Sequence, residues 1–182
     1  LAYNLEGVND LTLSGEVVAE IFAGQITKWN DPKITALNQG VSLPDETIIP
    51  TFRSDGSGTT FVFTDYLSKV SPMWAAQYGA GKSVSFPVGQ AAKGNPGVAG
   101  VVAQTANSIG YVGSEYAFAQ KIPYAKMTNQ RGEVVEPSAE SISAAASGDI
   151  PADTRTSITN SDAAGAYPIA TFTWMIIYKE QN

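Results

Sequence analysis

Thr51-Phe-Arg-Ser-Asp-Gly-Ser-Gly-Thr-Thr60 is the stretch that decides the fold. The residues before it, Glu46-Thr-Ile-Ile-Pro-Thr-Phe52, are apolar and β-branched, the composition of a buried strand. Those after it carry Phe61, Phe63, Tyr66 and Leu67 at helical spacing. A strand, a Gly-Ser-Gly turn and a helix are therefore expected. The turn brings the hydroxyls of Ser57, Thr59 and Thr60 and several free backbone N–H groups to the helix start, at the positive end of its dipole. Such a site attracts anions. Arg53 and Asp55 lie two apart as the strand ends, so both point to one face. Arg53 can grip an oxyanion through two parallel N–H bonds while Asp55 holds the guanidinium in place. The stretch reads as half of a phosphate clamp.

A Ser/Thr/Gly turn before a helix commonly serves only as a cap. Arg53 distinguishes this one. The chain has three arginines, with Arg131 and Arg155, and an arginine that ends an apolar strand facing a cap turn is poorly placed to be a solvated surface charge.

Composition narrows the partners. At 182 residues, the chain can bury its own core as one domain or two small lobes. Hydrophobic content of 43%, with 17 Gly and 10 Pro, describes a turn-rich globular protein. A net charge of −6 argues against nucleic acid or an anionic membrane surface. An anionic ligand must then be held by local donors that outweigh the global field. At ~4 Å, a charge pair is worth about 4 kcal/mol at a half-buried site, against about 1 in water. Cysteine and histidine are both absent, which removes thiolate chemistry, the commonest general base and the commonest zinc ligand. No apolar run approaches the ~20 residues of a membrane span.

Along the chain, Leu1 to Val8 is strand-like. Ser14 caps a helix with Val17, Val18, Ile21 and Phe22 as its buried stripe and Gly24 as its stop. Trp29 reads as a core anchor, and Asp31-Pro32 opens another helix. Ser71-Pro72 repeats that start. Ser83 to Val88 alternates like a strand, with Pro87 pointing to an edge or an end. Asn95-Pro96 opens a helix to about Ala106, Ser108 to Gly113 reads as a buried strand, Glu115 to Gln120 as a helical turn or two, and Tyr124 to Met127 as a short strand. Beyond Thr128, Arg131-Gly132 is a turn, Ser138 caps a helix through Ala146, and Gly148 to Ala166 is loop-like. Ile169 to Tyr178 carries the strongest strand signal, and the sequence stops four residues later. The strand-like opening and this ending predict a piece of a longer protein. Alternation of strands with helices predicts an α/β fold, a mixed or parallel sheet flanked by helices.

Other signatures fail. Gly79-Ala-Gly-Lys-Ser83 has Ala76 where a nucleotide P-loop needs glycine, and Gly56-Ser-Gly-Thr-Thr-Phe61 lacks the third glycine of a dinucleotide fingerprint. Ser57 is not in a nucleophile elbow, and no Ser-His-Asp triad is possible without histidine. The carboxylates show no metal-loop spacing.

The clamp Arg53-Ser-Asp-Gly-Ser-Gly-Thr-Thr60 resembles that of the periplasmic phosphate-binding proteins of ABC importers, which have the type II substrate-binding fold. Further matches follow in the same order: Ile21-Phe-Ala-Gly-Gln-Ile-Thr-Lys-Trp-Asn-Asp-Pro32, Gly94-Asn-Pro-Gly-Val98, Ser108-Ile-Gly-Tyr-Val112 and Tyr167-Pro-Ile169. By this resemblance Arg53 is the bidentate phosphate ligand and Asp55 its salt-bridge partner. Ser57, Gly58 and Thr59 donate through hydroxyl and backbone N–H. Residues 1–8 look like the linker strand leaving a first lobe, 9–127 the second lobe with the anion half-site, and 128–182 the return toward the first. The family's first lobe, with its own donors and an acidic acceptor for the phosphate proton, would lie outside these residues. The resemblance further implies an extracytoplasmic solute-binding component that works with permease subunits, with no cofactor, metal, nucleic acid or enzymatic activity. The alternative is an enzyme acting on phosphate esters with the same cradle, its base in that other lobe.

Overall fold

A computed structural model describes residues 1–175 and residue 177. Its main sheet is built from β1 (Ala2–Asn4), β3 (Ile49–Arg53), β4 (Gln90–Ala92) and β5 (Ser108–Gly110), in the spatial order β1-β5-β3-β4. β3 runs parallel to both neighbours, and β1 pairs antiparallel with β5. A second sheet of β2 (Thr12–Ser14), β6 (Lys126–Thr128) and β7 (Val134–Val135) joins a parallel pair to an antiparallel hairpin. The helices are α1 (Gly15–Phe22), α2 (Pro32–Leu37), α3 (Gly58–Val70), α4 (Pro72–Gln77), α5 (Gly94–Gln104), α6 (Ser114–Gln120) and α7 (Ala139–Ala145). This is the mixed α/β architecture that the alternating pattern implies.

Caps fix where helices begin. Ser14, Asp31, Ser57, Ser71 and Ser138 each accept a backbone N–H of the first turn, satisfying donors that the helix itself cannot. Pro32 and Pro72 follow their caps, where a missing N–H costs nothing. Gly24, with φ +73°, turns the chain out of α1.

The main core joins α1, α3 and α4 to both sheets, through Tyr3 and Ile109 of one and Leu13 and Met127 of the other. Val98 and Val102 of α5 belong to a smaller cluster with Ala2 and Ala92. Val17, Val18, Ile21 and Phe22 are buried, and so is Trp29, whose indole Nε1 donates to the Asn107 carbonyl at 3.1 Å. Phe22 meets Phe63 edge-on at 4.8 Å between centroids, and Tyr111 stacks on Phe63 at 4.4 Å. Each such pair adds about 0.5–1.5 kcal/mol beyond the area it buries. This cluster fixes the start of α3 against the end of β5.

Three expectations need correction. Ser83 to Val88 forms no strand. Val84 and Phe86 do turn inward and pack on the core, but the paired segment is β4, two residues further on. Gly89, at φ +104°, makes the turn between them against the Pro50 carbonyl. Phe61 is 43% exposed, because one residue past Thr60 it is rotated about 100° round the helix axis, away from the Thr60-Phe63-Thr64-Leu67 stripe that α3 buries. From Ile169 to Met175 the chain has no regular strand, and Trp174 and Met175 stand exposed. Alternation makes a strand only beside a neighbour with free N–H and C=O groups, and none pairs with this segment among the described residues. Ile176 and Tyr178 of the expected strand lie outside them.

The later residues pack on the same body. Tyr167 is buried in the main core, and its N–H donates to the Ser141 carbonyl at 3.0 Å. Asp65 of α3 accepts the hydroxyls of Ser157 at 2.7 Å and Thr159 at 2.5 Å, and Lys69 donates to both residues. Burial pushes the Asp65 carboxyl up, but these hydroxyls and Lys69 more than offset it and leave the group below its ordinary range.

Candidate anion site

In a parallel sheet the carboxyl ends of the strands are where ligands bind. β3 ends at Arg53 and β4 at Ala92, in register with each other, and each leads directly into a helix, α3 and α5. Two helix N-termini therefore lie side by side at one edge. Arg53 and Asp55 occupy the space between them.

Arg53 is held on several sides. Its Nε donates to Asp55 Oδ1 at 2.8 Å and its Nη2 to Oδ2 at 2.6 Å, the two-bond pairing of guanidinium with carboxylate. Nη1 donates to Asn95 Oδ1 at 3.2 Å. The Arg53 backbone N–H donates to the Tyr111 hydroxyl at 3.1 Å, and that hydroxyl shares a 2.8 Å hydrogen bond with Thr60 Oγ1. Tyr111 thus ties the end of β3 to the first turn of α3.

Asp55 also accepts the Gly94 N–H at 3.0 Å, so it caps α5 in place of Lys93, whose side chain makes no cap bond. The bonds from Arg53 and then Gly94 hold the Asp55 carboxyl well below the usual carboxylate range. The Asp55 partner raises the Arg53 guanidinium further, against the effect of burial. Both groups stay charged at neutral pH and cancel each other. Anion attraction therefore rests on how the remaining N–H bonds are aimed.

A cavity of about 340 Å³ opens beside the pair, with Gly58, Thr59, Asn95, Tyr111 and Glu115 in its wall. Among the described residues, no acceptor is paired with the Gly58 or Thr59 amide. The Ser57 hydroxyl is buried and accepts the Thr60 N–H at 3.2 Å, which leaves its O–H, unpaired among the described residues, to donate. Arg53, with 11% of its side chain exposed, stands behind the wall and touches Asn95. The structure thus gathers all five expected residues at one edge, with Gly58 and Thr59 lining the cavity and Arg53, Asp55 and Ser57 beside it.

Sequence reasoning missed Asn95, Tyr111 and Glu115. Asn95 reads as a helix opener and Tyr111 as a strand residue; both stand in motifs that carry the family resemblance, but without a role at the site. Nothing local in the sequence links either to Arg53. No group of three or more His, Cys, Asp or Glu side chains suited to a metal ion occurs among the described residues.

A family model described as "PBP superfamily domain" matches residues 1–182. The chain is 47% identical over 172 residues to the phosphate-binding protein PstS of Pasteurella multocida, covering 93% of this chain and 50% of that protein. It is 54% identical over 137 residues to the PstS of Haemophilus influenzae, covering 75% and 41%. The chain spans about half the length of the curated relatives it matches. Among solved structures it resembles a DING protein with TM-score 0.69 at 20% identity, over 92% of this chain and 53% of that one. An ABC-type phosphate transport receptor from Vibrio cholerae gives TM-score 0.56 at 17% identity, over 78% and 48%. At those identities the likeness shows a shared fold: mixed α/β sheets flanked by helices.

Proposed function

The chain belongs to the PBP superfamily domain family, and from that premise we propose that it binds inorganic phosphate, as part of the solute-binding component of an ABC phosphate importer. One observation carries the proposal: the free amides of Gly58 and Thr59, at the start of a 13-residue helix, converge on a cavity backed by Arg53. Arg53, Ser57, Gly58 and Thr59 form the ligand-binding set, and Asp55 is its support. The names of the PstS relatives favour phosphate over other oxyanions.

Residues 1–8 would connect to a first lobe, 9–127 form the second, and 128–182 return toward the first. The binding partners would be permease subunits, and the working place extracytoplasmic. No helix among the described residues is long and apolar enough to cross a membrane. The protein would act by binding and release without chemistry, as the names of the PstS relatives suggest. Calorimetric titration with orthophosphate, beside an assay with a phosphate monoester, tests the reading. Saturable heat with no ester turnover is expected. Turnover at the same site, or no heat at any concentration up to tens of millimolar, would overturn it.

A further inference from the structure

We propose that Asn95 is a positioning residue that selects which two N–H bonds of Arg53 are offered to a bound anion; the proposal rests on the phosphate reading above. A guanidinium carries five N–H bonds in one rigid plane. Asp55 takes one from Nε and one from Nη2, at 2.8 and 2.6 Å, and Asn95 takes one from Nη1 at 3.2 Å. One N–H is left on each terminal nitrogen, the number that a bidentate oxyanion accepts. Asp55 alone grips a single edge and leaves the plane free to tilt. Asn95 grips the far nitrogen and stops it.

The same helix start holds the other member of the pair. The Gly94 amide donates to Asp55 Oδ1 at 3.0 Å. Gly94 has φ +70°, a conformation that costs glycine little and other residues more. Consecutive residues of one turn thus fix Asp55 and Arg53 together, and Asn95 also lines the cavity that Gly58 and Thr59 enter.

The chemistry of the amide matters as much as its place. Arg53 and Asp55 sum to zero charge. A carboxylate at position 95 would grip Nη1 equally well, but would leave the cluster with a net negative charge facing an anion. Asparagine supplies the acceptor geometry without that charge.

Two variants, Asn95→Ala and Asn95→Asp, and two readouts test this. The first uses no ligand: with three arginines in the chain, the Arg53 side-chain ¹⁵N signals can be assigned by their loss in Arg53→Lys. Resolved, slowly exchanging Nη signals are expected in the unchanged chain and in Asn95→Asp, collapsing to an average in Asn95→Ala. Unchanged Arg53 signals in Asn95→Ala would overturn the proposal, whatever the chain binds. The second is a phosphate titration near pH 5, where the monoanion dominates, and near pH 8, where the dianion does. Asn95→Ala should weaken binding about 3- to 10-fold at both pH values. Asn95→Asp should weaken it further, by roughly ten-fold more against the dianion than the monoanion. Equal losses for the two variants at both pH values would mean a merely structural role. Absence of phosphate binding by the unchanged chain would instead sink the phosphate reading, and the ¹⁵N signals would still decide the role of Asn95.

Discussion

Arg53→Lys separates the charge of the site from its geometry. Lysine keeps the positive charge, so the long-range attraction, about 4 kcal/mol for a pair at ~4 Å in a half-buried setting, is largely preserved. What goes is the fork. Arg53 serves Asp55 through two nitrogens and Asn95 through the third, and still has an N–H left on each terminal nitrogen. An ammonium has three N–H bonds on one atom, and Asp55 alone would occupy one or two of them. The anion then loses at least one charge-assisted hydrogen bond, worth roughly 1.5–3 kcal/mol. That converts to about ten- to a hundred-fold in affinity. The assay is a phosphate titration read from the Gly58 and Thr59 amide shifts, which follows constants into tens of millimolar. Ionic strength must stay fixed, because surface charges are screened within about 8–10 Å. Thermal melts check that the variant is folded. A constant within twofold of the unchanged chain would refute the bidentate role of Arg53.

Tyr111→Phe should keep the stacking on Phe63 but strip the hydroxyl from the Arg53 N–H and Thr60 Oγ1, costing about 1–2 kcal/mol in urea unfolding; an unaltered midpoint would show that these bonds contribute nothing. Gly89→Ala should cost at least ~2 kcal/mol, because at φ +104° its methyl would collide with the Pro50 carbonyl. Gly40→Ala, at φ +85° with open space around it, should cost only ~1 kcal/mol, and equal losses for the two would contradict the packing around β3. Asp55 governs part of the acid limb. Its folded pKa lies below the unfolded value of about 3.9, so its contribution is present above roughly pH 5 and is lost as pH falls toward the folded value. Melting temperature between about pH 6 and 2 should therefore fall less steeply in Asp55→Asn than in the unchanged chain, and parallel curves would show that the pairing with Arg53 gives no net stability.

Much of this was legible in the sequence because local chemistry decided it. Caps such as Ser57 and Asp31-Pro32 announce helices from three or four residues, and the buried stripe of α1 follows from periodicity. Arg53 and Asp55 could be paired because strand spacing alone puts them on one face. The contacts that complete the site could not be seen that way. Asn95 lies 42 residues from Arg53 and Tyr111 58 residues from it, and only the parallel pairing of β3 with β4 and β5 brings them together. Ser83 to Val88 and Ile169 to Met175 mislead for the converse reason: their alternation is genuine, but a strand also needs a partner edge, which alternation does not encode.

The most direct measurement is the location of bound phosphate. A ¹⁵N-labelled sample titrated with orthophosphate at fixed pH and ionic strength should show its largest saturable shifts at the Gly58, Thr59 and Asn95 amides and at the Arg53 Nη nitrogens, whose remaining N–H bonds face the anion. If those signals stay still while others move, or nothing saturates up to tens of millimolar, the anion does not bind between α3 and α5, and the account of this site is wrong.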